Sequence, residues 1–180
     1  MLILNSAIAN ADTVLKIITN KGYVSFTVGD DWPVISMQSK LPIAAAGFQI
    51  PNPADKGTPD STNLALMLYD LSTDRGKAVF ESPIKQYGAN QPQMGKYGEW
   101  TLYRQQAQQG STRYTIIDSK KMNVADVSVS TRISWPHLTS DSKQHNANME
   151  SLLYTFLDSI KGTLGTLTPN QNEVIRRPEK

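Results

Sequence analysis

The clearest pattern in the chain is the alternation of apolar and polar side chains over residues 126–135. Valine, isoleucine, threonine or tryptophan stands at every second position, with small polar or charged residues between. Successive side chains of a strand point to opposite faces, so this period predicts a strand with one dry and one wet face. Two further strands, over residues 100–106 and 112–118, precede it, and the three together predict an antiparallel meander.

Other runs of β-branched, aromatic and small apolar residues add strands before the meander. The run over residues 63–69 is apolar on both alternating faces, which is typical of a strand in the middle of a sheet that is covered on both sides. The remaining strands are expected over residues 14–19, 23–28, 32–37 and 44–50. The first two are joined by Asn20, Lys21 and Gly22, a turn sequence that predicts a hairpin.

Two helices are expected. Residues 74–81 predict a short one with Asp74 near its N-terminus. The last helix carries apolar residues at spacings of three and four, which give one core-facing stripe: Met149, Leu152, Leu153, Phe156, Leu157 and Ile160. Lys161 and Gly162 mark its end. Residues 12–164 are therefore expected to form a single α+β domain, and residues 165–180 a flexible tail.

Three segments of the chain, taken in their order along it, resemble the Mog1/PsbP-like superfamily. They are residues 28–34 (Val-Gly-Asp-Asp-Trp-Pro-Val), residues 61–66 (Ser-Thr-Asn-Leu-Ala-Leu) and the final helix after Trp135 and Pro136. The resemblance covers residues 23–161. It implies an α+β fold in which an antiparallel β-sheet has helices on both faces, an α/β/α sandwich. It also implies binding without catalysis, because most members are binding proteins such as small-GTPase partners and photosystem accessory subunits. No binding residue of the superfamily can be matched onto this chain.

The N-terminus predicts export. Residues 1–11 are apolar or small and end in Ala-Asn-Ala, the pattern that precedes a secretory cleavage site, although nothing basic precedes Lys16. We therefore interpret residues 1–11 as a signal-peptide remnant of a periplasmic or secreted bacterial protein. The chain has no cysteine, which excludes disulfides and a lipid anchor on cysteine. No apolar run reaches the length of about 20 residues that membrane insertion needs.

The sequence contains no motif that indicates catalysis, metal binding or nucleic-acid binding. Its formal net charge is only +2 and its basic residues are scattered, which argues against nucleic acid as a partner. Gly-x-Ser-x-Gly does not occur, and the two histidines, His137 and His145, are expected at the surface or at a helix end. The acids of residues 30–31 and 55–60 do not follow a calcium-loop spacing. We therefore expect no catalytic residue, no metal and no cofactor.

Residues 87–97 have the composition of a binding loop. Tyrosine provides wide contact area at low entropy cost, and amides adapt their hydrogen bonds. Long loops in compact domains are often functional, although a self-packed surface loop has the same composition. The candidate partner-binding residues are Tyr87, Asn90, Met94 and Tyr97.

Together these patterns predict an exported, non-catalytic protein-binding module. Its most concrete version is an immunity-type inhibitor that binds a secreted toxin or effector. Two alternatives remain. One is an envelope hydrolase or small-ligand carrier, which a cavity lined by His137 and several acids would favour. The other is an accessory subunit of a larger complex. Fold alone does not decide between them.

Overall fold

The structure is a computed structural model that describes residues 12–51, 62–81, 92–137 and 142–165. These residues form two antiparallel sheets and two helices. In chain order the elements are β1 (Asp12–Ile18), β2 (Gly22–Gly29), β3 (Val34–Gln38), β4 (Ile43–Ile50), β5 (Thr62–Tyr69), α1 (Asp74–Glu81), β6 (Gln93–Tyr97), β7 (Trp100–Gln109), β8 (Thr112–Val124), β9 (Val127–Pro136), α2 (Ser142–Ser159) and β10 (Lys161–Leu164).

The large sheet has seven strands in the order β3-β4-β5-β9-β8-β7-β6. The predicted meander is confirmed as β7, β8 and β9, and β5 pairs with β9 on the other side. Leu64 lies opposite Ile133 and Leu68 opposite Val129, and all four side chains are fully buried. We call the face that carries these residues the inner face, because the core is built on it.

A three-stranded sheet, β1-β2-β10, covers part of the inner face. The predicted hairpin forms β1 and β2, which pair without a register break. Phe26 of β2 is fully buried, and its ring packs edge-on against Phe48 of β4 with the centroids 6.1 Å apart. The third strand, β10, comes from the far end of the domain and pairs antiparallel with β2.

Helix α2 covers more of the same inner face with the apolar stripe that the sequence predicts. Leu153, Phe156 and Leu157 are buried, and the Phe156 ring lies 6.0 Å from Phe26. The indole Nε1 of Trp135, which is fully buried in β9, donates a hydrogen bond of 2.6 Å to Oδ1 of Asn146. Helix α2 therefore contacts both sheets.

Helix α1 lies on the opposite, outer face of the large sheet. Its Phe80 ring packs edge-on against Tyr69 at the end of β5, 5.3 Å away. The ammonium of Lys120 stands 4.9 Å from the centre of the same ring and donates a hydrogen bond to the Phe80 carbonyl. Thr73 caps the helix, because its Oγ1 accepts a 3.0 Å hydrogen bond from the Gly76 amide.

The expected α/β/α sandwich with helices on both faces is wrong. The described residues are mostly β, with 60% of them in strands and 19% in helices. A second sheet occupies much of the inner layer, and α1 spans eight residues, which do not make a layer over a seven-stranded sheet. The physical reason is the apolar face of the N-terminal hairpin, which occupies part of the inner layer where helices were expected: Leu15, Ile17, Val24, Phe26 and Val28 are buried in the core. Strand β10 pairs with β2 and extends this layer to three strands.

Two smaller expectations also change. The outer side of β9 is wet only in part: Ser128 and Ser130 are buried, whereas Arg132 and Ser134 are half-buried. Helix α2 ends at Ser159, and Lys161 and Gly162, which were expected to mark its end, are the first two residues of strand β10. The expected signal remnant 1–11, the loop acids Asp55 and Asp60, and the tail from residue 166 onward lie outside the described residues.

Candidate binding cleft

The structure describes two of the four residues expected to bind a partner, and it places them on opposite faces of one strand. Tyr87 and Asn90 lie outside the described residues, whereas Met94 and Tyr97 belong to the edge strand β6 and not to a loop. Met94 pairs with Tyr103 and Tyr97 with Trp100 in the register of β6 with β7. Because they are three residues apart on a strand, Met94 and Tyr97 point to opposite faces of the sheet. They cannot form one contact surface.

Tyr97 is bound to helix α2. Its ring stacks on Tyr154 with the centroids 4.4 Å apart, and its hydroxyl donates a 2.6 Å hydrogen bond to Oδ2 of Asp158. This hydrogen bond raises the pKa of the Tyr97 hydroxyl, because it stabilises the protonated form. Met94, by contrast, is 67% exposed on the outer side. The partner-binding role of these four residues stays a prediction.

The histidines occupy structural positions. His137 follows β9, and its Nε2 lies 2.8 Å from the Thr115 hydroxyl, while its amide donates to the Arg113 carbonyl. Burial and the positive charge of Arg113 lower the pKa of His137, which favours the neutral ring. His145 is buried on α2, so the expectation of a surface position is wrong for it.

Several ionisable side chains on the outer face form hydrogen bonds or an ion pair with neighbouring residues. Arg132 and Asp118 form a two-point ion pair on neighbouring strands, with Nε–Oδ1 at 2.6 Å and Nη2–Oδ2 at 3.0 Å. Tyr69 shares a 3.0 Å hydrogen bond with Ser130, and burial raises the pKa of its hydroxyl. Burial also lowers the pKa of Lys120. These contacts hold the outer face of the sheet together.

A cleft of about 640 Å³ opens between α2 and the end of β2, and we call it the α2 cleft. Its volume lies within the range of about 300–1,000 Å³ in which proteins bind small ligands. The lining side chains come from four separate parts of the chain: Asp12, Thr27, Val28, Gly29, Asp31, Trp32, Ile50, Pro51, His145, Asn148, Met149, Ser151, Leu152, Thr155, Phe156 and Ser159.

The two walls of the α2 cleft differ in chemistry. On the strand side, Asp12 begins β1, and Asp31 and Trp32 form the turn after β2. On the helix side, Asn148, Ser151 and Thr155 follow each other at spacings of three and four, so they share one exposed face of α2. Apolar side chains, including Ile50, lie between the walls.

Two contacts fix the shape of the cleft. The Thr27 amide donates a 3.0 Å hydrogen bond to the Ser159 hydroxyl, which attaches the end of α2 to β2. The Trp32 indole lies directly over Gly29, where a Cβ would come within 2.6 Å of Nε1. The close approach of Trp32 therefore requires glycine at position 29.

The sequence contains traces of this site, but each has an ordinary structural explanation. Gly29, Asp31 and Trp32 are typical of a turn that leads into a strand, and small polar residues on α2 are typical of a solvated helix face. Only the fold shows that they face each other. His145 lines the α2 cleft and His137 does not. The hydrolase alternative called for a cavity lined by His137 and several acids, and the α2 cleft does not match that description.

Within residues 12–51, 62–81, 92–137 and 142–165, no group of three or more His, Cys, Asp or Glu could hold a metal ion. Neither helix of this part of the chain is long and apolar enough to cross a membrane. No protein-family model matches the sequence, and a search of curated proteins finds no match.

Proposed function

We propose that this protein is an exported, non-catalytic module that binds another protein, and that the α2 cleft is where it docks. The observation that supports the proposal is the open cleft, which exposes an aromatic ring, two carboxylates and a row of amide and hydroxyl groups. Such a mixture of apolar floor and polar rim is typical of protein-binding surfaces. On the outer face of the large sheet, by contrast, Tyr69, Asp118 and Arg132 are engaged in structural contacts.

The most concrete version of the proposal is an immunity-type protein that neutralises a secreted toxin or effector. Binding would act sterically, with the partner's segment held in the α2 cleft. This version predicts that the partner is toxic when it is produced alone, and that co-production with this protein restores growth. A toxin-like coding region beside the gene would support it further.

The test is to fill the cleft without disturbing the core. Ser151→Arg places a long side chain in the cleft from an exposed helix position. Ala147→Arg is the matched control, since it adds the same charge to an exposed position of α2 that does not line the cleft. Wild type and both variants are used to capture partners from an envelope extract, and the captured protein is then purified and titrated against each by calorimetry.

The proposal predicts one protein that wild type and Ala147→Arg bind with equal affinity and that Ser151→Arg binds at least about tenfold more weakly, as steric exclusion from a docking site requires. Equal binding by all three proteins would place the docking site elsewhere. Thermal unfolding of the two variants checks that any loss does not come from misfolding.

A small-ligand carrier is the second candidate function, because the volume of the α2 cleft suits a small organic molecule. Native mass spectrometry of protein purified from the envelope distinguishes the two. A carrier would show a bound mass that Ser151→Arg lacks, whereas a protein-binding module would be isolated without one.

A further inference from the structure

We propose that the α2 cleft recognises a cationic side chain, the guanidinium of arginine or the ammonium of lysine, presented by the partner. This inference rests on the proposed function, because it names the group by which the partner is held. It follows from the shape of the cleft together with the chemistry of its two walls.

The charged side chains among the described lining of the cleft are all acidic. Among the described residues, its lining includes two carboxylates, Asp12 and Asp31, and neither lysine nor arginine. The chain as a whole carries a formal net charge of +2. A negatively charged concavity on a weakly basic protein attracts a positive group and repels a carboxylate, so the cleft selects by charge.

The two carboxylates are exposed and ready to bind. The neighbouring Asp30 accepts a hydrogen bond from the Thr13 hydroxyl. Asp12 and Asp31, by comparison, form no salt bridge with any basic residue in the described part of the chain. An incoming cation therefore does not have to displace a basic side chain of the described residues from either of them.

Trp32 supplies an aromatic surface beside these acids. Tryptophan is the side chain that attracts a cation most strongly through its π-system, and arginine also stacks on it. The protein uses the same contact within its own fold, since the Lys121 ammonium lies 5.9 Å from the centre of the Trp100 ring. Trp32 is partly buried and lines the cleft, so the part of the indole that the cleft exposes can contact a bound guanidinium.

The helix wall complements this arrangement because it carries no charge. Two acids of α2 are engaged away from the cleft: Glu150 pairs with Arg104 at 2.7 Å, and Asp158 accepts a hydrogen bond from Tyr97. The one lysine of α2, Lys143, does not line the cleft. The wall itself exposes Asn148, Ser151 and Thr155, whose side-chain oxygens can accept hydrogen bonds from guanidinium or ammonium protons.

The test uses a peptide probe of defined charge. The peptide acetyl-Gly-Arg-Gly-amide is titrated into the full chain and followed by two-dimensional NMR, with the Trp32 indole signal assigned from a Trp32→Phe variant. Acetyl-Gly-citrulline-Gly-amide, which has the same shape without the charge, is the control peptide. The protein variants are Asp12→Asn with Asp31→Asn, and, as a matched control, Glu81→Gln, which removes an exposed acid at the far end of α1.

We expect the arginine peptide to shift the Trp32 indole signal in wild type and in Glu81→Gln, with binding at least about tenfold weaker for the citrulline peptide and for the double variant. Equal shifts with both peptides, or no shift at all, would overturn the inference. Its failure is distinguishable from that of the proposed function: if Ser151→Arg abolishes partner binding while the double Asn variant binds normally, the cleft docks the partner without reading its charge.

Discussion

Arg132 of β9 donates two hydrogen bonds to Asp118 of β8, Nε–Oδ1 at 2.6 Å and Nη2–Oδ2 at 3.0 Å. The Asp118 side chain is only 10% exposed. Two-point contacts between guanidinium and carboxylate are among the stronger polar interactions in proteins. This pair lies on the outer face, on the strand that the sequence predicts to have a wet side. The Asp118 carboxylate is therefore nearly buried on this face, whereas the Arg132 side chain remains about one third exposed.

Removing one member of this pair should be costly. We expect Arg132→Met to lower the free energy of unfolding by about 3 kcal/mol, because it leaves the Asp118 carboxylate buried without its counter-ion. Urea unfolding at neutral pH measures the change. Arg104→Met is the comparison, since the Arg104–Glu150 pair is more exposed and should contribute less than about 1 kcal/mol. Equal losses in the two variants would mean that the burial of Asp118 does not make its ion pair more stabilising than the Arg104–Glu150 pair.

Asp70 should make stability depend on acid pH. Its carboxylate accepts hydrogen bonds from the Ser72 hydroxyl at 2.5 Å, the Ser72 amide at 2.9 Å and Asn20 Nδ2 at 2.7 Å. The Ser72 hydroxyl is the main cause of the lowered pKa of Asp70.

Because the folded pKa lies below the unfolded one, this contribution to stability is present above the ordinary aspartate range and is lost as the pH falls below about 4. Ser72→Ala should therefore be less stable than wild type at neutral pH, and the difference should shrink in acid. Unfolding curves from pH 7 to pH 2.5 test this. A difference that stays constant with pH would exclude the carboxylate as its source.

Gly162 should tolerate no side chain. A Cβ at this position would come within 2.3 Å of the Ala125 amide nitrogen and 2.7 Å of the Val124 carbonyl carbon, which are backbone atoms that cannot rotate away. We expect Gly162→Ala to cost about 2 kcal/mol of stability through overpacking. Gly95→Ala is the control, because a Cβ there meets nothing within 4 Å and should change stability by less than about 0.5 kcal/mol.

Met94 and Tyr97 should respond differently to truncation. Tyr97→Ala removes the stacking on Tyr154 and the hydrogen bond to Asp158, and we expect it to lower the Tm by about 2–4 °C. Met94→Ala should leave the Tm unchanged, because the side chain is exposed. It should also leave partner binding unchanged if the partner docks in the α2 cleft. A loss of affinity in Met94→Ala would show that the outer side of β6 contacts the partner.

Local patterns were sufficient to predict most elements. Strand β5, the hairpin of β1 and β2, and the stripe of α2 follow from side-chain periodicity within one segment, and α1 has the expected bounds. Strand β5 was expected to be covered on both faces, but Asn63, Ala65 and Met67 on its outer face are only half-buried. Strand β6 was missed because Gln93, Gly95 and Lys96 have little strand preference; its conformation comes from pairing with β7.

The layer arrangement and the cleft could not be predicted in the same way. Lys161–Leu164 contains a lysine and a glycine in four residues, and only its pairing with β2, far away in the sequence, makes it a strand. Without β10, the sequence predicts only a two-stranded hairpin in place of the three-stranded sheet. The α2 cleft likewise joins Trp32 to Ser151, and no spacing rule connects two residues that are so far apart along the chain.

The pairing of Ser25 with Lys161 also sets an order for biosynthesis. The hairpin emerges first from the ribosome, yet one of its edges stays open until almost the last described residue has been made. Contacts that span so much of the chain slow folding. A nascent or truncated chain that stops short of Leu164 keeps that edge of β2 bare, and such an edge invites pairing with other chains.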